Sequence, residues 1–325
     1  MTLAIHRSAR PFQFRIRPIP PFRLDLTVWA LRRRARNLVD RWDGSTYRRV
    51  VVLSGQPVEL SVRQTGTPAA PRLVVTVIPR PRTDADRQHL RRLLDRLLGL
   101  RIDLTDWYQT ADRDPRLRLL ADKFRGVKPP RFPTIFEALV NAFACQQLSL
   151  EAGLTLLNRL ATTCGQRAEA SRDASYAFPT PADLTRLSPE RYRTIGFSRQ
   201  KGRALLALAR AITQQNLDLE ALAREDDEAI GSQLRELRGV GRWTTEYVLL
   251  RGFGRLHVFP GDDVGAQKRF ARWLGRSRPL DYAGVGRAVA RWQPYAGFVY
   301  FHLLLDGLSE AGALDLTSNV IEDHA

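Results

Sequence analysis

The chain has 325 residues, 44% of them hydrophobic, a formal charge of +17 and only two cysteines, Cys145 and Cys164. Such a hydrophobic fraction excludes a disordered chain and supplies core for one large domain or two ordinary ones. Two cysteines exclude a disulfide framework and a four-cysteine metal cluster, while the charge favours a polyanionic partner, nucleic acid before membrane. Lysine occurs only at positions 123, 128, 201 and 268, so the excess is arginine, whose planar fork of donors suits phosphate.

In chain order, residues 1–19 alternate arginine with apolar residues, hold no signal-peptide core and read as a tail. "LTVWALRRRAR" (26–36) has a helical pattern. "YRRVVVL" (47–53), "PVELSVRQ" (57–64) and "RLVVTVIP" (72–79) are β-branched runs separated by the turn compositions "SGQ" and "TGTPAAP". They predict strands of a small antiparallel sheet. At Asp84 the period changes, and "DADRQHLRRLLDRLLGL" predicts a helix with acidic residues in its first turn. The proline-bearing stretch 111–133 marks a junction, and beyond it almost everything has helical spacing. The expected class is α+β: a tail (1–19), a sheet domain (20–112) and an all-helical domain (113–325). The longest uncharged apolar run, 294–305, is too short to span a bilayer, so a soluble cytoplasmic protein with no membrane partner is expected.

"ELRGVGRWTTEYV" (236–248) places a Gly-Val-Gly turn between two helical patterns. Glycines at 239 and 241 give unusual backbone angles and close approach, and a helix starting near Arg242 leaves free amides pointing out of the turn. With Thr244 and Thr245 in the first turn, that end suits a DNA phosphate; an ordinary helix–turn–helix corner is the alternative. Asp262 and Asp263 follow "FPG" and precede a helical stretch, where one of them serves as a helix cap. His257 and His302 have no partner at metal-ligand spacing, and no metal or other cofactor is expected.

Several segments together resemble one family. "LRGVGRWTTEYVLLRGFG…VFPGDD" is similar to the helix-hairpin-helix and following Asp loop of the HhH-GPD base-excision DNA glycosylases, in particular the bacterial 3-methyladenine DNA glycosylase II (AlkA-type) branch. "FEALVNAFACQQLS" (136–149), "RYRTIGFSRQKGRALLALA" and "LVDRWDGSTYRR" (38–49) resemble its lesion-facing helix, its middle helices and its TBP-like sheet domain, so the likeness covers roughly residues 20 to 310 in the right order. The resemblance implies a monomeric, monofunctional glycosylase that flips alkylated bases of the 3-methyladenine and 7-methylguanine type out of damaged duplex DNA and hydrolyses them off, acting at the bacterial nucleoid. It implies Asp263, six residues before Arg269, as the catalytic carboxylate, with Asp262 as the alternative. It also implies a base pocket of Trp243, Tyr247 and Trp29, and a wedge at Gln147. Leu304 stands where the family's best-known member has a pocket Trp, leaving that wall missing or supplied by Tyr300 or another ring. Carbonyls of Leu237 and Val240 could hold a monovalent cation, as in some members. Relatives that also cut the strand carry Lys at the position of Trp243, so no lyase activity is expected. The competing readings are a glycosylase for deaminated or oxidised purines and a non-catalytic DNA-binding protein. The latter has no use for a carboxylate facing the DNA backbone.

Overall fold

The computed structural model describes residues 11–168 and 175–314. Strand β1 (Phe12–Ile16) leads into α1 (Leu24–Arg32), followed by β2 (Arg41–Trp42), β3 (Thr46–Leu53), β4 (Gln56–Thr65) and β5 (Arg72–Ile78). The strands form one antiparallel sheet in the order β1-β5-β4-β3-β2, whose three central members are the three predicted from sequence. Tyr47 pairs with Val62 and Val62 with Val75, so these residues share a face with Leu60 and Val77. That face packs on Leu90, Leu94 and Leu97 of α2 (Asp84–Leu98). Thr83 and Asp86 cap α2 reciprocally, and Gly99 ends it with a left-handed φ of +61°.

The reading of residues 1–19 as a tail fails from Phe12 onward. The alternation of arginine and apolar residues there is itself a strand period, and β1 pairs Phe12 with Val77 and Phe14 with Val75. Arg87 and Arg91 of α2 cover the rings of Phe12 and Phe14 at 5.2 and 4.6 Å. The junction at 111–133 also holds more structure than expected. After α3 (Thr105–Asp112), α4 (Pro115–Lys123) starts with Asp114 as its cap and Pro115 in its first turn, so this proline opens a helix rather than a linker.

The remainder is helical: α5 (Ile135–Cys145), α6 (Leu150–Cys164), α7 (Pro181–Thr185), α8 (Pro189–Ile195), α9 (Arg199–Gln214), α10 (Asp227–Glu236), α11 (Arg242–Val248), α12 (Val264–Trp273), α13 (Tyr282–Val289) and α14 (Ala296–Glu310). A single π turn, Leu249–Phe253, extends α11. Apolar side chains gather into two main cores. The first joins the sheet and α2 to α5–α11, and the second joins α3 and α4 to α12–α14. Helix α1 serves both, giving Leu24, Val28 and Leu31 to the first and Leu26, Trp29 and Ala30 to the second. Both cores therefore draw on residues from either side of residue 112.

The sheet is fastened to α5 by buried charge. Arg49 of β3 donates to Asp40 (2.7 Å) and to Glu137 of α5 (2.6 Å), and the Tyr47 hydroxyl donates to Asp40 (2.7 Å). Burial pushes the Glu137 carboxyl up to about 7 from an ordinary 4.5, against the pull of the single guanidinium it shares with Asp40. A carboxyl raised on folding adds stability that is fully present below about pH 4.5 and is lost as the pH climbs through about 7. Thermal melts across that window should show Glu137→Gln flattening this part of the wild-type pH dependence; an unchanged slope would assign it to other groups. Arg49→Met leaves two buried carboxylates unpaired and should cost about 3–5 kcal/mol in denaturant unfolding.

Candidate active site

The hairpin turn closes with the Val240 amide donating to the Leu237 carbonyl (3.1 Å), so one of the two carbonyls suggested for a cation is already engaged. Gly239 has a φ of +86°, and a Cβ there would lie 3.1 Å from Ala204 Cβ on α9, so both angle and space require glycine. Gly241 differs. Its backbone is extended (φ −112°, ψ −173°) and nothing lies within 4 Å of where its Cβ would be, which leaves that side open to another backbone.

No side chain caps α11, so the amides of its first turn have no capping acceptor. Thr244 and Thr245, expected to face a phosphate, are buried instead. The Thr244 hydroxyl accepts from Gln146 Nε2 (2.8 Å) and the Thr245 hydroxyl donates to the Gly241 carbonyl (3.1 Å), so their side chains serve the fold. Gln146 Nε2 also donates to the Gly239 carbonyl (2.9 Å), and Lys201 donates to the carbonyls of Ala144 (3.2 Å) and Gln146 (2.6 Å). These bonds tie the turn after α5 to the hairpin and to α9. At its tip Gln147 is exposed with a left-handed φ of +54°, and the neighbouring Leu148 is 47% exposed, an apolar side chain that the sequence reading passed over.

Asp263 caps α12. Its Oδ1 accepts from the Ala266 amide (2.8 Å) and its Oδ2 from the Tyr300 hydroxyl (3.1 Å), a contact from α14 that sequence gave no sign of. Asp262 is committed elsewhere, accepting from Arg242 Nε at 2.6 Å, and the Arg242 guanidinium sits 3.9 Å from the centre of the Tyr282 ring. Glu246 on α11 holds the loop itself: it accepts from the Gly261 amide (3.0 Å) and from the Tyr282 hydroxyl (2.7 Å). Burial pushes its carboxyl up. A Cβ on Gly261 would meet the Tyr282 ring at 2.7 Å, so this glycine lets α13 close over the loop.

Trp243 and Tyr247 stack with centroids 5.3 Å apart and planes 27° from parallel. Beneath them lie two buried arginines. Arg33 donates to the Tyr247 hydroxyl (2.9 Å) and to Asn141 Oδ1 (2.7 Å). Arg251 donates to the Ala30 carbonyl (2.9 Å) and lies 5.8 Å from the Tyr247 ring centre. In the sequence, Arg33 was one member of an arginine run and counted only toward net charge.

Trp29 is buried with the Arg32 guanidinium 5.0 Å from its ring, and Leu304 is buried on α14. The Tyr300 ring meets Phe259 edge-on (5.6 Å, 87°) while its hydroxyl is held by Asp263. Trp29, Tyr300 and Leu304 belong to the second core and Trp243 and Tyr247 to the first, so the candidate residues are drawn from both cores. His302 is a core residue: its Nδ1 bonds the Phe298 carbonyl (2.9 Å), and burial pushes it down to about 4. His257 bonds Asp227 (2.6 Å). Among the described residues no group of His, Cys, Asp and Glu could hold a metal ion.

Residues 140–294, spanning the turn after α5, the hairpin and the Asp loop, match the family described as HhH-GPD superfamily base excision DNA repair protein. The matched segment belongs to this superfamily. Its relatives include a DNA-3-methyladenine glycosylase of Bacillus subtilis, 28% identical over 69% of this chain and 75% of that protein. The DNA-3-methyladenine glycosylase 2 of Escherichia coli is 28% identical over 55% of this chain and 60% of its own length. Among solved structures, a 3-methyladenine DNA-glycosylase from Archaeoglobus fulgidus superposes with a TM-score of 0.79 at 25% identity, covering 93% of this chain and all (100%) of that one. Trp29, Arg33, Tyr300 and Leu304 lie outside the matched HhH-GPD segment. They come from α1 with the residue that ends it and from α14, two helices that pack against each other.

The two hairpin glycines should separate in a stability measurement. Gly239→Ala should lose about 1–2 kcal/mol in urea unfolding, because it places a side chain in the left-handed region. Gly241→Ala should stay within about 0.5 kcal/mol. Equal losses would contradict this division.

Proposed function

We propose that this chain is a monofunctional DNA glycosylase that flips alkylated bases, of the 3-methyladenine and 7-methylguanine type, out of duplex DNA and excises them hydrolytically in base-excision repair, working as a monomer in the bacterial cytoplasm on the nucleoid. The observation that carries this reading is the Asp263 carboxylate, capping α12 with a donor on each oxygen, beside a stacked Trp243–Tyr247 pair and a hairpin whose helix begins without a side-chain cap.

The chemistry follows from those positions. The bond from sugar C1′ to the base nitrogen breaks with its electron pair leaving on the base, and positive charge builds on the sugar. A carboxylate fixed beforehand stabilises that charge without reorganising as it forms. Water then adds its oxygen to C1′ and loses a proton. An alkylated purine that already carries positive charge leaves without a strong acid. Flipping costs a few kcal/mol of unstacking, which stacking on Trp243 and Tyr247 offsets in part. Gln147 at the exposed tip would fill the gap left in the duplex. Free amides of α11 and the open face of Gly241 would take a backbone phosphate. Trp243 stands where a strand-cutting relative has Lys, so the chain supplies no amine there for a Schiff base.

Asp263→Asn should abolish base release from methylated duplex while leaving DNA affinity within about two-fold; release at the wild-type rate would remove Asp263 from this role. Borohydride treatment during turnover should trap no covalent protein–DNA complex, and a trapped complex would contradict monofunctional chemistry. A bulky Gly241→Val should weaken binding to all duplex sequences alike and lower the salt dependence of affinity by about one phosphate contact. A sequence-selective loss would argue against the phosphate role.

A further inference from the structure

We propose that Tyr300 is a positioning residue for Asp263, holding the carboxylate toward the sugar and away from the arginines around it; the assignment rests on the glycosylase reading above. The contact is direct, the Tyr300 hydroxyl donating to Asp263 Oδ2 at 3.1 Å while the Ala266 amide holds Oδ1 at 2.8 Å. Of these two donors only the hydroxyl comes from outside the helix that Asp263 caps, so it fixes the side chain's rotation against the rest of the molecule.

A competing partner is close at hand. A Cβ on Gly265 would lie 3.2 Å from Asp263 Oδ1 and 3.6 Å from Arg269 Nη2, so carboxylate and guanidinium flank the same small space. Arg269 Nε is buried without a hydrogen-bond partner. Among the described residues no ion pair joins the two. An Asp263 turned onto Arg269 would have its charge neutralised where it is needed for the sugar. The other basic groups of the site have partners of their own: Arg242 has Asp262, Arg33 has Tyr247 and Asn141, and Arg251 has backbone carbonyls through Nη2, its Nε and Nη1 being buried without a partner. Tyr300 is itself locked, its ring buried edge-on against Phe259 and 6.2 Å from Phe301. The ring that could have been a stacking wall in place of the Trp replaced by Leu304 therefore serves the carboxylate.

The test is Tyr300→Phe, which keeps the ring and removes only the hydroxyl. In single-turnover assays on duplexes carrying 3-methyladenine or 7-methylguanine, base release should fall about ten-fold or more, the effect of losing a hydrogen bond to a charged group, with affinity for an abasic duplex within about two-fold of wild type. Release at the wild-type rate would overturn the proposal, and so would parallel losses of release and affinity, which mark a packing role. A second readout needs no turnover. The Tyr300 hydroxyl proton, held by a carboxylate in the wild type, should give a downfield NMR resonance that moves when Asp263→Asn changes its acceptor. A resonance indifferent to Asp263→Asn would overturn the proposal. A wild type that releases no base, but whose hydroxyl resonance responds, would instead sink the glycosylase reading and leave the contact standing.

Discussion

A carboxylate that is to stabilise positive charge on a sugar has to keep its own charge unspent, and around Asp263 that is a demanding condition in a chain of net charge +17. The fold meets it by giving three of the nearby cations other work, Arg269 being the exception. Arg242 is drawn to Asp262 and the Tyr282 ring, Arg33 to the Tyr247 hydroxyl, and Arg251 to carbonyls at the end of α1. The carboxylate itself is left with a helix amide and a phenol, donors that fix its geometry without cancelling its charge. Paired aspartates in this loop thus divide the labour: Asp262 takes the ion pair so that Asp263 does not.

Recruitment from both cores is what makes this arrangement possible. Helices α11 and α12 and the loop between them contribute the hairpin, the stacked rings and the Asp loop, but the groups that orient them come from α1, α13 and α14. Arg33 reaches the site from the sheet region, and the Arg49–Glu137 pair holds that region to α5, whose end carries Gln146 and the exposed tip. Displacing the sheet would therefore disturb the support of Tyr247 and the exposed tip together. On the proposed function the two guanidiniums at Tyr247 would also bear on selectivity, since they weaken the pull that its ring would exert on a cationic base.

What sequence made legible divides along physical lines. Strands β3–β5, the helices from α5 onward and the Gly-Val-Gly hairpin announce themselves through period and turn chemistry, which are local. Strand β1 was hidden because flanking arginines make its alternation look like a basic tail, although those of α2 stack on its rings. Pro115 was read as linker punctuation, yet it opens α4 behind the Asp114 cap. At the site, Asp263, Trp243 and Tyr247 followed from a motif. Thr244 and Thr245 did not go where the motif suggested, because their side chains turn into the core and only the backbone of that turn stays outward. Arg33 and Glu246 could not be seen at all, and Tyr300 only as a possible wall and not as the partner of Asp263, since each acts across 15 to more than 200 residues of chain and nothing in local spacing encodes such contacts.

The central claim is that this site releases a damaged base and leaves the strand whole. Its most direct test is to incubate the protein with duplexes that each carry 3-methyladenine, 7-methylguanine, hypoxanthine or uracil, and to score free base and strand breaks separately. The account predicts free alkylated base with an intact, alkali-labile strand. Strand cleavage accompanying release, or release confined to hypoxanthine or uracil, would contradict it.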